Sequence, residues 1–257
     1  MKILHLDIET SPNTGLFWGL FRQNIGLEQI VTSGYTLCWA AKWEGEPEIM
    51  FSSVNDGAQA MLESVHTLLA EADAVVHYNG KSFDIPILNK EFIKHGLTPP
   101  DSYHQIDLLE TVRRRFRFTS NKLDYVANFL GLGTKLHHKG MSLWVGCMNG
   151  DEKCWKTMEK YNKQDVRLLP RLYKKLLPWI NDHPNHGLYK DIEDSEGNIK
   201  DACTNCGSTD IVRNGIEHLK TQSYQRFKCK SCHTPLRGRK TILLKDKRDT
   251  ILTQSKL

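Results

Sequence analysis

Long apolar runs are absent from this sequence of 257 residues. No segment approaches the about eighteen apolar residues that a membrane-spanning helix requires. The N-terminal residues MKILHLDIET contain two carboxylates, so they lack the apolar core of a secretory signal peptide. The sequence therefore predicts a cytoplasmic protein that has no membrane partner.

A disulfide framework is also missing. Cysteine occurs at seven positions, an odd number, and only four of these are grouped. They form two CxxC pairs, Cys203 with Cys206 and Cys229 with Cys232, separated by 22 residues. Four thiolates at this spacing suit tetrahedral Zn²⁺, and a closed set of four ligands is typical of a structural site. The pattern predicts one structural zinc ion and a reducing compartment.

Strong charge of one sign is lacking in most of the chain. The formal net charge is +5, but residues 201–257 alone carry 12 Lys and Arg against 5 Asp and Glu. The first 200 residues are close to neutral, with a net charge of −2. A near-neutral body with a basic C-terminal part indicates a polyanionic partner that the C-terminal part contacts.

Hydrophobic periodicity predicts an α/β body built around a mixed sheet. The predicted strands span residues 2–8, 35–43, 48–52 and 74–77. The predicted helices span residues 57–71, 85–95, 107–117, 122–130 and 151–177. We expect four parts: an α/β domain at 1–180, an acidic linker at 181–200, a zinc-binding module at 201–240 and a basic tail at 241–257.

Acidic side chains recur at three places beside these elements. Asp7 and Glu9 are two residues apart on the first strand, so they project from the same face. Two carboxylates on a buried strand are costly unless a cation neutralises them. Asp84 follows the strand at 74–77, where capping of the next helix is the alternative role. Tyr161 and Asp165 share one face of a helix.

Together, the motifs DIE, NGKSFD and YNKQD resemble those of the DEDD superfamily of 3′–5′ exonucleases. They are similar to the branch in which a tyrosine lies four residues before the last aspartate; Lys160 stands where the other branch has histidine. Asn79, Phe83 and Asp84 resemble the second motif of family-B DNA polymerase proofreading domains. The resemblance covers about residues 1–178 and implies a ribonuclease H-like fold, with helices flanking the mixed sheet.

The resemblance implies hydrolysis of phosphodiester bonds at a 3′ end with two Mg²⁺ or Mn²⁺ ions. It implies that Asp7, Glu9 and Asp165 bind the metals directly. Asp84 would act through water, and Tyr161 would orient the attacking water. The implied nucleic-acid contacts are Asn79 and Phe83. The expected substrate is single-stranded DNA or a DNA 3′ end, which leaves RNA open.

The cysteine module resembles the zinc ribbons of transposase-associated and other DNA-binding proteins. The shared pattern is CxxCGS, a later glycine, and QRFxCxxC. Basic and aromatic side chains on such a scaffold suit a nucleic-acid backbone. The expected contacts are Arg226, Lys228, Lys230, Arg237 and Arg239. Docking of a replication or recombination protein is the alternative role for the ribbon.

Two other functions stay open at this point. One is a transposase-like or structure-specific endonuclease on the same fold, although DDE transposases end in glutamate rather than in a YxxxD pair. The other is a non-catalytic nucleic-acid-binding protein, which the complete set of four carboxylates disfavours. Stand-alone nucleases with these motifs and a ribbon resemble those of bacteriophages, which would place the protein in a host cytoplasm.

Four other features have default structural roles. Asp107 is expected to cap the helix that follows it. The basic run at 113–117 fits either substrate phosphates or a solvated helix face. The aromatic run at 16–21 is expected to pack in the core, with base stacking as the alternative. The remaining cysteines, Cys38, Cys147 and Cys154, are expected to be ordinary buried or partly buried thiols.

Overall fold

The computed structural model describes residues 1–136, 140–189, 193, 196, 197 and 199–254. The chain divides into two compact units, Lys2–Tyr173 and Lys174–Leu257. The expected linker and the expected basic tail lie partly outside the described residues.

A mixed sheet forms the centre of the Lys2–Tyr173 unit. Its five strands are β1 (Ile3–Thr10), β4 (Thr36–Trp43), β5 (Met50–Ser53), β6 (Ala74–His77) and β7 (His104–Asp107). A separate ladder joins β2 (Thr14–Gly15) and β3 (Ile30–Thr32). The sheet order is β5-β4-β1-β6-β7, and β1 pairs antiparallel with β4 and parallel with β6. The strand that carries the DIE motif is therefore the central one.

Helices cover the sheet. They are α1 (Ala58–Glu71), α2 (Asp84–Lys94), α3 (Leu108–Arg115), α4 (Leu123–Phe129), α5 (Met141–Met148) and α6 (Glu152–Leu176). Leu4, Leu6 and Ile8 of β1 pack in one core cluster with residues of α1 and α2. Because side chains alternate along a strand, Asp7 and Glu9 project from the opposite face of β1. A second core cluster brings together side chains of β4, α5 and α6.

The predicted α/β class, with a mixed sheet and flanking helices, is confirmed. Every strand and helix predicted for the body is present, with each end shifted by two residues or fewer. Periodicity missed β7, whose sequence HQID has one apolar residue; it forms because β6 offers a parallel partner that pairs Val76 with Ile106. It also missed α5, a short apolar run without a clear helical stripe. Asp107 caps α3 by accepting from the backbone N–H of Leu109, as predicted.

The expectation that the aromatic run at 16–21 packs in the core is wrong. Trp18 is fully exposed and Phe21 is 85% exposed. The run lies between β2 and β3 and belongs to no strand or helix, so it has no fixed face to turn inward. Cys38 and Cys147 are buried and Cys154 is partly buried, as expected.

Three antiparallel strands form the sheet of the Lys174–Leu257 unit. They are β8 (Ile211–His218), β9 (Ser223–Cys229) and β10 (Pro235–Thr241), in the order β10-β9-β8, and α7 (Lys245–Asp249) follows. Part of the expected linker is folded in this unit. The backbone N–H of His186 donates to the carbonyl of Thr204 at 2.8 Å, and the backbone N–H of Gly187 donates to Oδ1 of Asn185 at 3.0 Å.

Among the described residues, no helix combines the length and the apolar character that crossing a membrane requires.

Candidate active site and metal centres

Three carboxylates converge on the central strand. One oxygen from each of Asp7, Glu9 and Asp165 lies within 4.8 Å of the others. Asp7 and Glu9 come from one face of β1, and Asp165 is a buried residue of α6. Oδ1 of Asp165 is buried and has no hydrogen-bond partner among the described residues. An unsatisfied carboxylate oxygen within a set of three hard oxygen donors fits a divalent cation such as Mg²⁺ or Mn²⁺.

Without a bound cation, burial makes ionisation of all three carboxyls unfavourable. Burial, then the neighbouring charge of Asp165, raises the pKa of Asp7 well above its ordinary value. The same two causes raise the pKa of Glu9 to about 8. Burial also raises the pKa of Asp165, against the opposing effect of the Lys135 ammonium. The cluster therefore needs added positive charge if all its carboxyls are to ionise at neutral pH.

Asp84 lies beside this cluster. It is the first residue of α2 and follows the N-cap residue Phe83, so its side chain does not cap the helix. Instead, its Oδ1 accepts a hydrogen bond from the backbone N–H of Ile8 at 3.1 Å. Because Ile8 separates Asp7 from Glu9, this bond holds Asp84 next to the DIE segment. Burial raises the pKa of Asp84 to about 7, although the bond from Ile8 opposes the shift.

Tyr161 and Asn162 flank the cluster from α6. Asn162 is completely buried, and its Nδ2 donates to Oδ2 of Asp7 at 2.7 Å. The Tyr161 ring meets the Trp144 ring edge-on, with 6.0 Å between the centroids. Burial raises the pKa of Tyr161 to about 12, so its phenol keeps its proton at neutral pH. The sequence singled out Tyr161 but not Asn162, although both belong to the YNKQD motif.

Lys135 is the second residue that sequence reasoning missed. Its Nζ forms an ion pair with Oδ2 of Asp165 and lies 3.3 Å from the Tyr161 hydroxyl. Burial acts to lower the pKa of Lys135, but the charges of Asp165 and Asp7 outweigh it and raise the pKa. Lys135 belongs to neither α4 nor α5, and no spacing in the sequence connects it to the carboxylates. Only the fold brings them together.

An open cleft of about 550 Å³ adjoins the carboxylates, with Asp7 and Lys135 in its wall. Asn79 also lines the cleft and has a left-handed backbone, with φ of 74°. The Asp107 carboxylate holds this backbone by accepting from the N–H of Asn79 at 2.9 Å. The predicted contact Phe83 is 42% exposed.

A second cluster contains the four cysteines. The Sγ atoms of Cys203, Cys206, Cys229 and Cys232 all lie within 4.8 Å of one another. Cys203 and Cys232 have their Sγ atoms 3.6 Å apart, as do Cys206 and Cys229. These separations are too long for disulfides. They are close to the about 3.8 Å expected between thiolates that share a tetrahedral Zn²⁺. The cluster fits one zinc ion.

Backbone geometry supports the two cysteine pairs in the same way. Backbone N–H groups of the pairs donate to the thiols of Cys203 and Cys229. The residue after each pair, Gly207 or His233, has a left-handed backbone, with φ of 73° and 65° respectively. His233 thus occupies the tight turn that glycine occupies in the other pair. Among the described residues, neither His233 nor His218 belongs to the four-cysteine cluster. Nδ1 of His218 lies 2.8 Å from the Ser223 hydroxyl.

Three of the predicted ribbon contacts share one face of the small sheet. Arg226 of β9 is paired directly with Arg237 of β10, and Lys228 is two residues beyond Arg226. Side chains two apart project to the same side of a strand. The Arg237 guanidinium lies 4.8 Å from the centre of the Tyr224 ring and 3.7 Å from Oε1 of Glu217. We call Tyr224, Arg226, Lys228 and Arg237 the basic face.

The two other predicted contacts are placed differently. Lys230 follows the end of β9, and its Nζ lies 3.9 Å from a carboxylate oxygen of Asp210. Arg239 is exposed on β10, in the stretch where the register with β9 becomes irregular.

Comparison with known proteins agrees with the fold. Residues 26–177 match the family model of the RNase H superfamily, a match that begins after β1. No curated protein matches the sequence. Among solved structures, the chain is similar to the family B DNA polymerase from the hyperthermophilic archaeon Pyrobaculum calidifontis. The TM-score is 0.50 and the identity 18%, over 69% of this chain. The chain spans 24% of that polymerase, so the likeness concerns the fold. Because the family match covers more than half of its residues, the chain belongs to the RNase H superfamily.

Proposed function

We propose that this protein is a metal-dependent 3′–5′ exonuclease that acts on single-stranded nucleic acid, with DNA favoured. The convergence of Asp7, Glu9 and Asp165 on the central strand of an RNase H-like sheet carries the proposal. Membership of the superfamily supports nuclease activity in general. The 3′–5′ polarity rests on the DIE, NGKSFD and YNKQD motifs, which resemble the tyrosine branch of the DEDD exonucleases.

Asp7, Glu9 and Asp165 would hold two Mg²⁺ or Mn²⁺ ions, and Asp84 would act through water. When bound, such ions acidify a water molecule and stabilise negative charge on the phosphate oxygens. The Tyr161 phenol keeps its proton at neutral pH, so it would orient the attacking water rather than deprotonate it. Asn162 would hold Asp7 in one orientation through their hydrogen bond. Lys135, in the cleft wall, would bring a positive charge toward the phosphate.

The ribbon would take one structural Zn²⁺ and assist binding of the substrate through its basic face. A fold with so small a core depends on the metal for much of its folding free energy. The combination of these motifs with a ribbon favours a nuclease of the phage type, acting in the cytoplasm. Docking of a replication or recombination protein is the other role proposed for the ribbon.

End-labelled substrates test the activity. With Mg²⁺ or Mn²⁺, we expect stepwise ladders from 5′-labelled single strands and early release of a mononucleotide from 3′-labelled ones. The Asp7→Asn and Asp165→Asn variants should give neither the ladders nor the released mononucleotide. Asp246→Asn replaces an exposed acid of α7 and should leave both products unchanged. Comparing cleavage of DNA strands with cleavage of RNA strands identifies which polymer is the substrate.

Three results would contradict the proposal or its site. Cleavage of circular single strands would indicate an endonuclease. Binding of the strand without cleavage at any metal concentration would indicate a non-catalytic binding protein. Equal activity in the wild type and both Asn variants would refute the assignment of the site.

A further inference from the structure

Four aromatic rings form a continuous cluster beside α3 and α4. Phe116 and Phe118 follow α3, while Tyr125 and Phe129 lie one turn apart on α4. The ring centroids are 5.4 Å apart for Phe116 and Phe118, 5.3 Å for Phe118 and Phe129, and 6.2 Å for Tyr125 and Phe129. We call these four rings the aromatic cluster.

Among the described residues, none of the four rings belongs to the buried core. The buried residues of α4 are Leu123, Val126 and Ala127, whereas Phe129 is 66% exposed. The other three rings are only partly buried. The rings therefore contact one another at the surface, and Phe129 leaves much of its area in water. Apolar area held at a fixed surface position is typical of an interaction site.

Positive charge accompanies the rings. Arg117 stands between Phe116 and Phe118 in sequence and is exposed, as are Arg113 before them and Lys122 after them. A single nucleic-acid strand presents base faces and phosphates in alternation, so aromatic rings interspersed with cations suit it. An apolar protein surface would gain little from these cations, and burying them would be costly. The combination favours a nucleic-acid strand as the occupant.

Residues close in sequence to the cluster line the cleft beside the carboxylates. Arg113 of α3 and Lys122, at the start of α4, both line that cleft together with Asp7. The chain runs from Arg113 into the first ring and from Lys122 into the helix that carries Phe129. A strand whose 3′ end lies near Asp7 would therefore meet this surface on leaving the cleft.

We propose that the aromatic cluster is a stacking platform for bases upstream of the 3′ end. This inference rests on the proposed exonuclease function. The platform would stabilise strands that are long enough to reach it and leave very short strands unaffected. It would favour no particular base, because every base has a face that can stack on a ring.

The test compares strand lengths on the full-length protein. Substrates are 5′-fluorescein oligothymidylates, a trimer and a strand of about fifteen nucleotides, near the upper limit of small single-strand binding sites. Phe129→Leu removes the ring but keeps an apolar side chain, and Phe129→Tyr keeps the ring. With Phe129→Leu, we expect KM for the long strand to rise about tenfold, within the range for loss of one stacked base. For Phe129→Leu, KM for the trimer and kcat for both strands should match the wild type. For Phe129→Tyr, KM and kcat for both strands should match the wild type.

The outcomes separate this inference from the function on which it rests. If Phe129→Leu keeps the wild-type KM for the long strand, the platform is refuted while the exonuclease stands. If the wild type cleaves neither these strands nor oligouridylates of the same lengths, the proposed function fails. Fluorescence anisotropy of the long strand without divalent metal then decides about the platform: about tenfold weaker binding by Phe129→Leu supports it, and equal binding refutes it. Should Phe129→Leu unfold, Phe118→Leu with Phe118→Tyr repeats the comparison.

Discussion

Nδ2 of Asn162 donates a hydrogen bond of 2.7 Å to Oδ2 of Asp7, and so connects α6 to the central strand. The same amide lies 3.3 Å from the backbone carbonyl of Asp7. Asn162 has no exposed surface, so water cannot replace it without rearrangement. A neutral amide thus fixes one carboxylate of the cluster without adding charge to it.

Asn162→Ala should therefore impair the site more than the fold. Residues that orient metal ligands typically contribute about 10- to 100-fold to metal affinity or activity. We expect a loss of this size in nuclease activity, with weaker Mn²⁺ binding by calorimetry. Arg167→Ala, at an exposed position of the same helix, is the matched control. Wild-type Mn²⁺ affinity and activity in Asn162→Ala would show that Asp7 is held by other contacts.

Lys135 offsets negative charge when no divalent metal is bound. In chelator, Lys135→Met should lower the thermal midpoint, because Asp165 loses its ion-pair partner. The difference in thermal midpoint between Lys135→Met and the wild type should increase from about pH 6 to pH 9. More carboxyls of the cluster ionise at the higher pH, and the variant has no ammonium to offset their charge. Added Mg²⁺ should reduce this difference. Lys81→Met removes a partly exposed pair with Glu110, so its effect should be small and nearly independent of pH. Identical pH profiles for the two variants would contradict this role of Lys135.

Metal binding should be accompanied by proton release. In the metal-free site, burial raises the pKa of Glu9 to about 8 and that of Asp84 to about 7. These carboxyls hold protons below those values, and a divalent ion must displace them. The apparent Mn²⁺ affinity should therefore rise with pH up to about 8. Calorimetry in buffers of different ionisation enthalpy counts the protons. An affinity that does not change over this range would contradict the assignment.

The same shifts fix how the stability of the metal-free protein depends on pH. The folded carboxyl of Glu9 holds its proton to higher pH than its ordinary pKa of 4.5. The folded state thus binds more protons than the unfolded state between about pH 4.5 and 8, and stability falls as pH rises through that window. Saturating Mg²⁺ should offset the loss. Urea unfolding with and without Mg²⁺ measures both effects.

The central part of the candidate site was predictable from the sequence because it depends on local rules. Strand alternation put Asp7 and Glu9 on one face, and helix periodicity put Tyr161 and Asp165 on another. Lys135 was not predictable in this way. It is distant in sequence from Asp165 and lies in a segment with no periodic pattern, so only the tertiary fold reveals the pair.

Local rules also failed for segments whose own sequence does not determine their structure. Aromatic residues at 16–21 predict burial from composition, but without a strand or helix the run has no defined inner face. The strand β7 has a single apolar residue, so its own sequence does not predict a strand. Pairing with β6 stabilises it. Asp84 was correctly expected where a helix begins, but its bond to the N–H of Ile8 depends on packing of α2 against β1.

Zinc should be present at one ion per chain and should be needed only by the ribbon. Cys203→Ser removes one of the four clustered thiols, so we expect loss of zinc and rapid proteolysis within residues 201–240. Activity on a trinucleotide should persist. Cys154→Ser, at a partly buried cysteine outside the cluster, should keep its zinc and its resistance to protease. Unchanged zinc content in Cys203→Ser would show that the cluster is not the site.

The basic face contains two like charges side by side, although the Arg237 guanidinium lies 3.7 Å from Oε1 of Glu217. Arg226 and Arg237 are directly opposite each other on β9 and β10, and like charges in this position are destabilising. Such a cost is offset when phosphates bind between the two side chains. Arg226→Gln should therefore leave the thermal midpoint unchanged or higher while it weakens binding of single-stranded DNA.

Salt dependence distinguishes this face from its neighbours. Loss of one phosphate contact should reduce the slope of log affinity against log salt by about 0.7–1. We expect this for Arg226→Gln and for Lys228→Gln. Lys230→Gln is the matched control, because Lys230 lies beyond the strand with its charge near Asp210. If all three variants keep the wild-type affinity and slope, the ribbon does not hold the substrate and its basic face is better explained by docking of an acidic protein.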